Sequence, residues 1–338
     1  MNPMSNPRLP ALAGLLVAAS LLLTAVRAHA HAGDPPATPT APAAPAGAKQ
    51  NAKSKAERIY DDTADAAKEI EAALARARRE HTRVLIQWGA NWCGWCTKLH
   101  ATCAKDSDIA KELRDEYEVV LVDIGQFDRN MELAARLGAK LKENGVPFLT
   151  ILAEDGAPVA NQETGSLEDP ATKSHDPAKV MALLKSHEAP RLKAGEVLAA
   201  GVAKAKAEDK LVFLHFGAPW CGWCHRLEDW MAKPEIAAVL SKAFVSVKID
   251  TDRMEGGQAL LVAESKGKNG GIPWCEILDG EGKAIVDSNA PESGNIGFPA
   301  KPDEIAWFAR MLERAGPRLS AEDVALLTRS LQAPAKGS

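Results

Sequence analysis

The sequence predicts an α/β protein built from one duplicated unit, each copy a central mixed β-sheet flanked by helices. Three observations lead there. The pentapeptide Trp-Cys-Gly-Trp-Cys occurs at residues 92–96 and again at 220–224, an offset of 128. At that offset Gly89, Ala90, Leu99, Ala104 and Lys105 recur as Gly217, Ala218, Leu227, Ala232 and Lys233, so the match extends beyond the cysteines. Around each pentapeptide, β-rich runs alternate with helix-period stretches and end in a hairpin, the order of a sheet covered on both faces.

In the first unit, residues 56–79 set Ile59, Ala66, Ala67, Ile70, Leu74 and Ala77 at helical spacing. Residues 83–88 form a short β-rich run into the cysteines. A helix follows from Cys93 to about Ala104, and another over 108–114. The nearly continuous apolar run at 117–124 reads as a buried strand. Residues 131–141 read as a helix and 146–152 as a strand. Its return begins at Pro158 and Val159, after a Glu154-Asp155-Gly156 turn. A helix over 176–186 closes the unit. The second unit repeats the order: helix 197–207, strand 211–216, a helix from Cys224, strand 244–250, helix 258–266, strand 272–278, a turn at 279–282 and a closing helix at 302–314. The units are bounded at 54–188 and 195–316, with a linker at 189–194 and a tail at 317–338 that is helical over 321–331.

The length of 338 residues suits two domains. With 46% hydrophobic and 25% charged residues, the composition is that of a globular protein. A net charge of −4 gives no support to nucleic-acid binding. Residues 1–30 read as a secretory signal: Arg8, an apolar run over 11–26, then the small-x-small pattern Ala28-His29-Ala30. That run is short for a spanning helix, so no stable membrane insertion is expected after cleavage. Removing the segment takes away two arginines and no acids, and brings the charge to −6. Residues 31–53 are an Ala/Pro-rich spacer. The expected location is periplasmic or secreted.

Two cysteines separated by two residues at a helix start suit thiol–disulfide exchange. Cys93 and Cys221 would lie at the first turn, where free amides and the helix dipole favour a thiolate. Cys96 and Cys224, three residues on, share a helix face with them and serve as resolving thiols. Trp92 and Trp220 would offer a flat apolar surface to a substrate.

On these residues the chain resembles the thioredoxin superfamily over both units, with a tandem arrangement similar to protein disulfide isomerases. Val146-Pro147 and Ile272-Pro273, 51 and 49 residues after the second cysteines, match the family's cis-proline. The resemblance implies two tandem thioredoxin-like folds and thiol–disulfide oxidoreductase activity. It also implies that Pro147 and Pro273 pair with the substrate backbone. The buried aspartate of thioredoxins is absent: its positions hold Gln87, which cannot titrate, and His215, a candidate proton-transfer group that could titrate near neutrality, and equally a hydrogen-bonded core histidine. The Gly-Trp between the cysteines differs from the family's Gly-Pro and Gly-His, so redox poise does not carry over.

Competing readings are weaker. Cys221-Gly222-Trp223-Cys224-His225 matches a c-type haem attachment sequence, but the first unit has Thr97 in place of the histidine. A four-thiolate zinc site would need closer pairs, and copper handling would call for a Met/His cluster that is not seen. No metal and no cofactor are expected. Cys103 and Cys275 read as small core residues. Cys275 shares the side of Pro273 and so could approach the active sulfurs, and pairing of Cys103 with Cys275 across units stays open. His100 and His225 read as exposed helix positions. The expected partners are exported proteins with thiols or disulfides and a membrane redox protein. The alternative is a redox-weak binding or folding-assistance module.

Overall fold

A computed structural model describes residues 58–332 except 269 and 315. The signal segment 1–30, the spacer 31–53 and the end of the tail at 333–338 lie outside the described residues. The first unit runs α1 (Ala66–Glu80), β1 (Arg83–Gly89), α2 (Gly94–Lys105), α3 (Ser107–Glu116), β2 (Tyr117–Asp123), α4 (Met131–Arg136), α5 (Leu141–Asn144), β3 (Phe148–Leu152), β4 (Pro158–Glu163), the two-residue strands β5 (Glu168–Asp169) and β6 (Ser174–His175), and α6 (Pro177–Ser186). The second runs α7 (Ala194–Ala207), β7 (Leu211–Gly217), α8 (Gly222–Met231), α9 (Pro234–Ala243), β8 (Phe244–Asp250), α10 (Gly257–Glu264), β9 (Trp274–Leu278), β10 (Ala284–Asp287), β11 (Asn289–Ala290), β12 (Gly294–Asn295), α11 (Pro302–Glu313) and α12 (Ala321–Gln332).

Each unit has a mixed four-stranded sheet, ordered β2-β1-β3-β4 and β10-β9-β7-β8, and a two-stranded one, β5-β6 and β11-β12. β1 runs parallel to β2 and antiparallel to β3, as β7 does to β8 and β9. Successive strand side chains point to opposite faces. Val84, Ile86 and Trp88 therefore pack with Ile70, Ala73 and Ala77 of α1, while Leu85 meets Leu99, Ile109 and Leu184. Gln87 falls on the Leu85 face, beneath α2. In the second unit Val212, Leu214 and Phe216 pack with Ala205 of α7. Leu211 and Phe213 meet Leu227, Ile236 and Phe308, which places His215 beneath α8.

The periodicity misplaces three elements. α1 starts at Ala66 rather than 56, because Asp61 accepts hydrogen bonds from the Thr63 amide (2.8 Å) and hydroxyl (2.6 Å). Such a side-chain turn competes with helix, and Asp65 then caps α1 by accepting from Lys68 N at 3.2 Å. The helix expected over 131–141 is two pieces, α4 and α5, because Gly138 adopts φ 79° between them. The periodicity does not separate α9 from the helix before it. Its signal is Pro234 in the first turn, followed by Ile236, Val239, Leu240 and Ala243 at helical spacing. α12 is part of the second core: Leu327 and Leu331 are buried in it, and Trp230 Nε1 donates to Ser330 Oγ at 2.8 Å.

The two units meet where α1 ends. Arg253, buried on the loop after β8, donates from Nη1 to the Glu80 carbonyl (2.6 Å), from Nη2 to the His81 carbonyl (2.9 Å) and from Nε to Glu116 Oε2 (3.0 Å). A guanidinium from one unit thus satisfies the carbonyl end of a helix in the other. Among the described residues no helix is long and apolar enough to cross a membrane.

Candidate active sites

Each cysteine pair opens a helix. Cys93 caps α2 and Cys221 caps α8, and each Sγ accepts from the amide of the second cysteine at 3.1 Å. The pairs Cys93–Cys96 and Cys221–Cys224 are disulfide-bonded, with Cα atoms 5.3 and 5.2 Å apart. Cys93 and Cys221 are each 5% exposed, Cys96 0% and Cys224 2%, so the first sulfur of each pair is the reachable one. In that position the helix N-terminus favours a thiolate over a thiol.

Val146–Pro147 and Ile272–Pro273 are both cis. The Val146 carbonyl oxygen lies 3.5 Å from Cys93 Sγ, and that of Ile272 lies 3.6 Å from Cys221 Sγ. Trp92 and Trp220 are about half exposed beside the disulfides. Their ring N–H groups are tied down, to the Gly125 carbonyl at 2.6 Å and to Asp252 Oδ2 at 2.8 Å. The second tryptophan of each motif is flanked by an aromatic ring and a cation. Trp95 meets the His175 ring at 5.5 Å edge-on, with Lys98 Nζ 4.2 Å above it. Trp223 stacks on Phe298 at 6.1 Å, with the Arg226 guanidinium over both. His175 was not anticipated, because only the β5–β6 hairpin brings it to the motif.

Behind the sulfurs the two sites differ. In the first, Gln87 is buried and donates from Nε2 to Tyr60 Oη at 2.7 Å. Tyr60 is held by Asn91, whose Oδ1 accepts from the Ile59 and Tyr60 amides (3.0 and 3.1 Å) and whose Nδ2 donates to the Tyr60 carbonyl (2.8 Å). A β-carbon on Gly89 would overlap Tyr60 Oη and lie 2.9 Å from Cys96 Sγ. Glycine there lets the hydroxyl approach the sulfur. Burial pushes the phenol above its ordinary range, so it remains a neutral donor. Tyr60 escaped the sequence reading because it fell inside the helix expected from 56. Its signal was Asn91, which faces Pro219 in the second unit and so cannot be repeated there.

In the second site His215 is buried and its Nδ1 has no hydrogen-bond partner among the described residues. Burial pushes its pKa down to about 4 against the pull of Glu228, which favours the core-histidine reading of the two. The charged acid near Cys224 is Glu228, one turn further along α8. A β-carbon on Gly217 would lie 3.4 Å from Cys224 Sγ and 3.5 Å from Glu228 Oε1. Lys248 Nζ lies 2.7 Å from Glu228 Oε1 and also pairs with Glu80 Oε2 at the end of α1. Burial alone would raise the Glu228 pKa, but His225, Lys248 and His215 together hold it below the carboxylate range. His225 is half-buried rather than exposed. Its Nε2 lies 2.7 Å from the Pro219 carbonyl oxygen, and Glu228, 3.7 Å from Nδ1, lifts its pKa to about 9.

The repeat pairs His100 with Glu228 at the offset of 128. Strand register sets Leu121 beside Gln87 and Lys248 beside His215. The first site therefore has the Gln87–Tyr60 pair behind its sulfurs, where the second has Glu228 and Lys248. Cys103 and Cys275 are both free and sit in separate cores, so they do not pair. Cys275 packs with Leu227 and Phe213 rather than with the active sulfurs. Burial pushes both thiols up to about 12. Among the described residues no cluster of three or more His, Cys, Asp or Glu is placed to hold a metal ion.

A disulfide at a helix N-terminus, facing a cis-proline at the head of a neighbouring strand on a mixed sheet, defines a thioredoxin-like protein. A thioredoxin-like family model matches residues 65–153, and the DsbH thioredoxin family model, described as a protein of unknown function (DUF255), matches 181–300. The chain belongs to the thioredoxin superfamily and carries the fold twice. It is 30% identical over 229 residues to a protein disulfide-isomerase of Ricinus communis, covering 64% of this chain and 41% of that protein. It is 33% identical over 72 residues to human spermatogenesis-associated protein 20, covering 21% of this chain and 9% of that one. The chain thus spans less than half the length of these curated relatives. The crystal structure of a disulphide isomerase from Xylella fastidiosa Temecula1 aligns at 28% identity over 38% of this chain and 95% of that one, with a TM-score of 0.34.

Proposed function

We propose that the protein is an exported thiol–disulfide oxidoreductase that exchanges disulfides with protein substrates through both Cys-Gly-Trp-Cys sites. The observation that carries this reading is the ordering of the sulfurs. In each site the first lies at a helix N-terminus, within 3.5–3.6 Å of a carbonyl beside a cis-proline, and the second is buried behind it. Cys93 and Cys221 attack, and Cys96 and Cys224 resolve the mixed disulfide. Pro147 and Pro273 align an extended substrate segment, with Trp92 and Trp220 as its apolar walls. The resemblance to a protein disulfide-isomerase supports protein rather than small-molecule substrates.

Export rests on the signal-like segment 1–30 and leads to a periplasmic or secreted location. There a membrane redox partner would return the sites to their working state. Insulin reduction and refolding of a scrambled disulfide protein test the activity. Cys96→Ser and Cys224→Ser should each trap a mixed disulfide, and Cys93→Ser with Cys221→Ser should abolish both activities. Full activity in that double variant would overturn the reading in favour of a binding module. A reduction potential near about −270 mV at either site would mark a reductase, and one near about −120 mV an oxidant.

A further inference from the structure

Beside the second disulfide a cation rests on an aromatic stack with no anion to answer it. Trp223, between the two cysteines, is 53% exposed and stacks on Phe298 with ring centroids 6.1 Å apart. Arg226, three residues along α8 and so on the same face, holds its guanidinium 5.2 Å from the Trp223 centroid and 4.8 Å from that of Phe298. Helical side chains lean towards the N-terminus, which carries this charge back towards Cys221. Arg226 is exposed, and among the described residues it makes neither a hydrogen bond nor an ion pair. Asp229, the acid three residues further on, pairs instead with Arg79 at 3.4 Å.

This platform is tied to the cis-proline. Phe298 follows the β11–β12 hairpin, and Asn295 of β12 donates from Nδ2 to the Gly271 and Pro273 carbonyls, both at 3.0 Å. Its Oδ1 accepts from Ser288 Oγ at 2.8 Å. Gly297, at φ 57°, lays the chain against the proline: a β-carbon there would touch Pro273 Cδ at 3.8 Å. Trp223, Phe298 and Pro273 therefore hold fixed places around Cys221. The first site differs. Its corresponding cation, Lys98, lies over Trp95 but donates to the Lys173 carbonyl at 2.6 Å, so its charge is already engaged.

We propose that Arg226 is a specificity-determining residue of the second site: it pairs with a substrate carboxylate, so that Cys221 exchanges preferentially with disulfides in acidic segments, a preference the first site lacks. This rests on the thiol–disulfide reading above. A guanidinium is a rigid fork that matches a carboxylate with two parallel hydrogen bonds, and its weak hydration lets it rest on aromatic faces at the same time. Arg226 lies five residues after Cys221, a rise of about 7.5 Å along the helix. An extended segment advances about 3.3 Å per residue, so a carboxylate two or three residues from the reacting cysteine spans that distance. The exchange itself is unaltered. Cys221 bonds one substrate sulfur and releases the other, and Cys224 then displaces the first. Two electrons and two protons pass from the two enzyme thiols to the two substrate sulfurs.

The test uses the full chain with Cys93→Ser and Cys96→Ser, reduced beforehand, and two synthetic peptides each closed by one internal disulfide. They differ only in carrying Glu or Gln two and three residues from each cysteine. Chromatography of the reduced peptide gives the second-order rate constant in a single turnover. The Glu peptide should react about fivefold faster, the size of one solvent-facing ion pair, and the lead should shrink as salt is added. Arg226→Gln should bring the Glu peptide down to the rate of the Gln peptide, and Arg226→Lys should keep part of the lead. The first site alone, in a Cys221→Ser, Cys224→Ser protein, should treat the two peptides alike. Equal rates for the two peptides at the second site, the same lead at the first site, or a Glu-to-Gln ratio that survives in Arg226→Gln would each overturn the proposal. Failure of the reduced parent to act on either peptide would instead sink the thiol–disulfide reading itself.

Discussion

Gln87 Nε2 donates to Tyr60 Oη at 2.7 Å, and the pair fills the space behind Cys96 that charged groups fill behind Cys224. Tyr60→Phe leaves that buried amide donor without its partner, which costs about 1–3 kcal/mol. A urea titration of the variant should show a lower midpoint with an unchanged slope. Gln87 does not titrate and burial lifts the Tyr60 phenol, so Gln87→Leu and Tyr60→Phe should leave the pH profile of resolution by Cys96 unshifted between pH 6 and 8. A Cys221→Ser, Cys224→Ser protein isolates that rate.

Arg253 and Lys248 join the units through buried charge. Removing one partner of such a pair strands the other and costs about 3–5 kcal/mol. Arg253→Ala should cost toward the lower end of that range: the Glu80 and His81 carbonyls lose their donor, while Glu116 keeps Arg191 at 3.3 Å. The loss should uncouple the units, so that tryptophan fluorescence and circular dichroism no longer report coincident unfolding.

Buried ionisable groups should give stability opposing pH contributions. His215 is neutral in the fold, with its pKa near 4 against about 6.5 unfolded. Its contribution is full above pH 6.5 and is lost as pH falls through 4, on the order of 3 kcal/mol. Glu276 is lifted to about 8 by burial, with Glu264 and Asp287 adding to it. Its contribution is full below the unfolded carboxyl pKa and is lost as pH rises through 8. Denaturation across pH should show His215→Gln flattening the acid limb and Glu276→Gln the alkaline one.

Trp92 and Trp220 present their rings beside the reachable sulfurs while their N–H groups are tied down. Trp92→Ala with Trp220→Ala should raise KM for reduction of a protein disulfide about tenfold, roughly the loss of one aromatic contact of 1.4 kcal/mol. Reduction of oxidised glutathione, which has no chain to lie on those rings, should change little.

Much of the site is legible in the sequence. Cys93 and Cys221 are helix caps because a β-rich run ends just before each of them. Pro147 and Pro273 sit opposite because the strand they begin pairs with that run. His215 and Tyr60 mark where the reading stopped. The periodicity put His215 on the correct face but carried no measure of burial deep enough to hold it neutral. Asp61 and Thr63 form a turn whose competition with the helix is settled only by where Tyr60 finds its partner.

The sequence by itself determined the duplication, the mixed α/β units, the two cysteine pairs and their prolines. Each of these is local: a period, a motif or a repeat offset within one unit. Only the tertiary structure decided that the sites are unlike. Tyr60 reaches Cys96 through Asn91, and Glu80 reaches Lys248 across 168 residues of chain. Contacts so far apart depend on how two sheets and their helices pack, and a charge's effect on a thiol depends on how much water that packing removes.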